Sequence, residues 1–196
     1  MPLGAFKAAL MGTAGATTEG DVVLLSTQTA SDSATISFTS DITSTYGEYI
    51  FKFYNIHPET DGVTFDFNMS TDSGSNYNVT KTTTAFLARH TEAGTASLAY
   101  STADDIASGT GFAELSVKGI GSGADESGVG ELHLFNPSST TYMKHFYSVI
   151  NCYSENIEST NDFYAGYGNT TSAVDAVRFQ MGSGNMNGKI KMWGVK

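Results

Sequence analysis

The chain has 196 residues, enough for one ordinary domain with a buried core, and only 15% of them are charged. Gly, Ser, Thr and Asn stand where a helical protein would carry Glu, Lys, Arg and Ala on its solvent-facing surfaces, so an all-β fold is expected. A formal charge of -10 repels phosphate backbones and anionic membranes, which argues against both as partners, and the single cysteine, Cys152, excludes an internal disulfide.

Residues 1–20 form a small, Gly/Ala/Thr-rich segment whose large apolar groups are Leu3, Phe6, Leu10 and Met11, near the spacing of a short helix face. It has no basic n-region, and Lys7 interrupts its apolar run, so neither an export signal nor a membrane span is expected. An apolar arm ahead of a compact body docks on its own core or on a neighbour. The four side chains are therefore candidate assembly contacts.

From Asp21 onward the chain reads as one domain of short strands separated by Gly, Asn, Asp and Ser. Strands are expected over 22–26, 34–39, 48–57 and 63–70. Within 48–57, Tyr49, Phe51, Phe53 and Asn55 alternate with Ile50, Lys52, Tyr54 and Ile56; within 63–70, Val63, Phe65, Phe67 and Met69 mark a half-buried strand. A Thr-rich extended run occupies 78–89, residues 93–105 fit a helical turn as well as a strand, and 112–120 alternates again. A Gly- and acid-rich loop spans 119–130, and 154–168 is a polar stretch. Residues 130–135 and 142–152 read as a hairpin about the turn at 136–141; residues 173–181 and 188–195 read as a second hairpin. About ten strands without a long helix suit a jelly-roll-like antiparallel β-sandwich, residues 21–196, behind the arm.

The sequence shows no catalytic signature and no cofactor motif, so a non-enzymatic protein without a cofactor is expected. His133 and His145 are symmetric about Ser139, a pairing that sets two imidazoles side by side, but no third ligand falls at a spacing that completes a metal site. The acids Asp72, Asp104, Asp105, Asp125 and Glu126 lie in turns that lack the ordered alternation of a calcium loop. Exposed tyrosines form sugar-stacking platforms on many β-sandwiches. Tyr153, Tyr164 and Tyr167, in or beside the polar stretch, and Trp193 are the candidates for such a role.

Four segments carry a resemblance: Met1-Pro-Leu-Gly-Ala-Phe-Lys7, Tyr77-Asn-Val-Thr-Lys-Thr-Thr-Thr84, Leu132-His-Leu-Phe-Asn-Pro-Ser-Ser-Thr140 and Gly184-Asn-Met-Asn-Gly-Lys-Ile-Lys-Met-Trp-Gly194. Together the chain resembles virion structural proteins of tailed bacteriophages, and is most similar to those of phages infecting marine bacteria, including cyanobacteria. The resemblance implies a β-sandwich on the particle exterior, as capsid decoration, head fibre or tail component, bound to other virion proteins and to copies of itself, with a trimer as the commonest assembly. The alternative is a host-receptor or carbohydrate-binding module that takes a surface glycan on its loop aromatics.

Overall fold

The computed structural model describes residues 21–196, which contain twelve strands and no helix. In chain order these are β1 (Val22–Ser33), β2 (Thr35–Phe38), β3 (Glu48–Pro58), β4 (Phe65–Ser70), β5 (Lys81–Thr91) and β6 (Ala96–Tyr100), followed by β7 (Ala113–Glu114), β8 (Gly128–Phe135), β9 (Lys144–Ser154), β10 (Glu158–Gly168), β11 (Ala176–Met181) and β12 (Met186–Val195). Eight strands form one antiparallel sheet in the order β1-β12-β3-β8-β9-β10-β5-β6, and four form a second in the order β2-β11-β4-β7. The two sheets pack as the antiparallel β-sandwich expected from composition and alternation.

Period-two alternation drives that packing. Tyr49, Phe51 and Phe53 from β3 and Phe146 and Ile150 from β9 point inward from the large sheet; Phe65, Phe67 and Met69 from β4 and Val177 and Phe179 from β11 answer from the small one. Phe179 is the hub. Rings of Phe38, Phe51, Phe53, Phe65 and Phe67 surround it with centroids 5.2 to 6.3 Å away, most of them edge-on or tilted, as ring quadrupoles prefer.

The structure corrects several local expectations. Residues 173–181 and 188–195 do not form a hairpin: β11 pairs with β2 and β4 in the small sheet, while β12 pairs with β1 and β3 in the large one. The Gly-rich connection carries the chain from one sheet to the other, and its composition is the same for either path. In β3 the alternation expected to continue through Asn55 breaks at a bulge, where Asn55 takes a φ of 50° and is exposed while Ile56 turns inward. Opposite, Gly188 sits at φ 128°, and a Cβ there would meet the Asn55 carbonyl oxygen at 2.7 Å, so this crossing requires glycine.

Strand β4 is buried on both faces rather than half-buried. Loop residues cover its outer side: the Asn68 side-chain amide donates to the carbonyls of Tyr77, Thr110 and Gly111 at 2.7, 3.0 and 3.3 Å. The buried Lys81 ammonium donates to the same Gly111 carbonyl at 2.5 Å, and loss of water around it pulls its pKa down to about 8. Of the alternating run 112–120, only Ala113 and Glu114 form a strand, although Leu115, Val117 and Ile120 are buried. The undecided run 93–105 contains β6, and the polar stretch 154–168 contains β10, the full-length partner of both β9 and β5.

Candidate functional site

The inner face of the large sheet packs in the sandwich, so what this protein offers a partner is its outer face and its edges. Register fixes which side chains line up there. One row across the strands runs Leu24, Trp193, Ile50, His133, Tyr147, Ala165 and Thr84. The next runs Thr27, Lys191, Lys52, Glu131, Val149, Phe163, Phe86 and Tyr100. Lys52 and Glu131 form an exposed ion pair at 3.4 Å, a contact of small energetic weight in water. Much of the rest is aromatic or aliphatic: Phe86 stacks flat on Phe163 at 4.8 Å, and Leu24, Leu98, Tyr100, Val129 and Tyr147 are exposed.

The β8–β9 hairpin exists, but its register centres one residue later than symmetry about Ser139 requires. His133 therefore lies opposite Tyr147, and His145 lies beside Tyr167 on β10. His133 stacks on Tyr147 with ring centroids 4.5 Å apart, and its two nitrogens meet carboxylates, Nδ1 with Glu48 and Nε2 with Glu131 at 3.2 Å. The imidazole pair expected side by side is thus separated. Among the described residues no group of three or more His, Cys, Asp and Glu side chains is placed to hold a metal ion.

The four candidate sugar-stacking aromatics do not gather. Tyr164 is buried, correcting its reading as an exposed loop residue: β10 is a strand, its alternation turns Tyr164 inward, and the hydroxyl bonds with Thr83 and donates to the Asp104 carbonyl, each at 2.9 Å. Tyr167 lies on the outer face beside His145, with centroids 6.1 Å apart. Tyr153 lines a separate cleft of about 460 Å³ with His90, Ile157 and Ser159, and Trp193 sits on β12 between Leu24 and Ile50. The aromatics that do share ground with Tyr167 are Phe135, His145 and Tyr147, around a shallow groove of about 440 Å³. Odd-numbered positions of β9 and β10 face outward together, a signal legible only once 158–168 is recognised as a strand. Leu3, Phe6, Leu10 and Met11 lie outside the described residues.

Buried polar groups lie on both sheets, Asp66 on the loop-covered side of β4 and Asp162 on the inner side of β10. Asp66 and Asp162 each have a carboxylate oxygen without a hydrogen-bond partner, and burial pushes both pKa values up to about 7, with Glu114 adding repulsion at Asp66 and Asp104 at Asp162. Burial likewise pushes the Cys152 thiol up, which makes it an inert core group rather than a nucleophile. Compared with known protein families and with curated proteins, the chain matches no family model and no curated protein.

Proposed function

We propose that this protein is a non-enzymatic structural subunit of the exterior of a bacteriophage particle, as capsid decoration, head fibre or tail component, and that it assembles by pairing its β6 edge with a second copy. The particle assignment rests on the sequence resemblance; the mode of assembly rests on β6. All five residues of this strand are exposed, with Leu98 at 74% and Tyr100 at 51%. The Thr91 N–H donates to the Thr95 carbonyl and the Ser101 N–H to the Ala85 carbonyl, both at 2.9 Å, so the odd positions bond to β5. The backbone groups of Ala96, Leu98 and Tyr100 therefore point to the open side of the sheet.

Natural sheets protect such an edge with charge, proline or bulges. Strand β6 has none of the three, whereas β1 at the other end carries two register shifts and a positive φ at Asp32. Pairing of this edge with the same edge of a second copy gives an isologous β6-to-β6 contact about a two-fold axis. A three-copy mass, the assembly the resemblance implies, would instead seat β6 on the neighbour's β1.

Sedimentation velocity tests this reading. Leu98→Lys puts a charge on the apolar edge and Ala96→Pro removes an N–H that the ladder with β5 does not use, so both are expected to leave the fold intact and shift the protein to monomer. An unchanged assembly in both variants would overturn the β6 contact. Leu3, Phe6, Leu10 and Met11 are proposed as further contacts: deletion of residues 1–12 is expected to weaken the assembly at least tenfold, and an unchanged mass removes them from the account.

A further inference from the structure

We infer that the groove across β8, β9, β10 and β5 on the outer face of the large sheet is a binding site for a neutral oligosaccharide. Its central element is Tyr147. One face of this ring is stacked on His133, with planes 11° apart, and Phe135 flanks it at 5.9 Å, so the ring is held in place before any ligand arrives. The opposite ring face turns toward β10, where the residue in register is Ala165, and beyond it on β5 stands Thr84. Two strand spacings, about 9.6 Å, separate β9 from β5, and the small alanine leaves the space between them open. That slot has the width for a sugar ring laid flat against Tyr147.

The polar tips around it point to the ligand class. Tyr147 and Tyr167 hydroxyls and the His145 ring make no hydrogen bond with other described residues. Stacking surface ringed by unengaged hydroxyl and imidazole groups matches the two chemistries a pyranose presents, C–H faces and equatorial hydroxyls. An aliphatic ligand would leave those tips unpaired. The groove lining contains no Lys, Arg, Asp or Glu; burial raises the Tyr147 hydroxyl pKa, and the negative carboxylates of Glu48 and Glu131 add to that. Sulfated or uronic sugars would meet repulsion there, so the ligand is uncharged.

The site is independent of the β6 contact, which lies at the sheet edge. The test is saturation-transfer NMR and calorimetry on the full chain with cello-, malto-, laminari-, manno- and chitohexaose, and with a sulfated hexasaccharide as the charge control. At least one neutral oligosaccharide is expected to bind with Kd at or below about 1 mM, an ordinary strength for a shallow site. Tyr147→Ala, which removes the platform, and Ala165→Leu, which fills the slot and keeps every aromatic, are each expected to weaken binding at least tenfold. Leu98→Lys is expected to retain it. Absence of binding to every neutral probe, a preference for the sulfated one, or binding unaltered in both groove variants would overturn the inference.

Discussion

Replacing Phe179 by alanine is expected to lower the free energy of unfolding by about 4 kcal/mol, from the general cost of truncating a fully buried Phe. The residue is fully buried on the second strand of the small sheet, and its ring is the contact surface for phenylalanines of both sheets. Truncation leaves a cavity bounded by Phe38, Phe51, Phe53, Phe65 and Phe67. These rings belong to three different strands besides β11, so no single shift closes the hole. Phe179→Leu retains much of the volume and should lose about half as much. Urea unfolding of the two variants in the Leu98→Lys background, chosen to remove the proposed β6 contact, measures both. A loss below about 1 kcal/mol for Phe179→Ala would show that the two sheets are not joined through this ring.

The second large effect is on pH dependence. Asp66 and Asp162 titrate near pH 7 in the folded protein against about 3.9 in an unfolded chain. A raised pKa means that the folded state holds its proton more tightly, so the stabilisation linked to these groups is complete below pH 4 and is lost as pH rises through 7. Between about pH 4 and pH 7 the unfolded carboxylate is ionised and the folded one is not, so each group costs on the order of 1 kcal/mol per pH unit over that range and nothing further once both states are ionised. The protein is therefore expected to be most stable in mild acid and to lose a few kcal/mol between pH 6 and pH 8.5. The net charge of -10 pushes in the same direction, because ionising further acids adds to repulsion. The paired variant Asp66→Asn with Asp162→Asn keeps the shapes and removes the titration, so its urea midpoint should vary much less with pH. A wild-type midpoint that rises between pH 6 and pH 8.5 would contradict the assignment.

Alternation made most of the core legible. The pattern of β3 up to Phe53 and of β4 on its inner side identified the phenylalanines that meet at the centre, and the β8–β9 hairpin was marked by its turn residues. Elements stabilised by pairing rather than by a side-chain pattern were not. Strand β10 places Glu158, Thr160 and Asp162 inward and Ser159 and Asn161 outward, so both faces read as polar and the run resembles a loop. Its strand character comes from eleven residues of register on each side, which no local window contains. The error propagated to function, since an extended β10 buries Tyr164 and gathers Tyr167 with His145 and Tyr147. Strand β6 was ambiguous for a related reason: exposed on both sides, it carries no periodicity. The single-residue change of hairpin register that separates His133 from His145 depends on the turn, where Asn136 adopts a φ of 44°.

Amide hydrogen exchange across β6 as a function of protein concentration tests the central claim most directly. In an assembly built on this edge, the amides of Ala96, Leu98 and Tyr100 exchange freely in dilute solution and become protected together as the concentration rises, while those of Ser97 and Ala99, bonded to β5, are slow throughout. Fast exchange at Ala96, Leu98 and Tyr100 at every concentration, with the protein assembled, would place the subunit contact elsewhere and contradict the account.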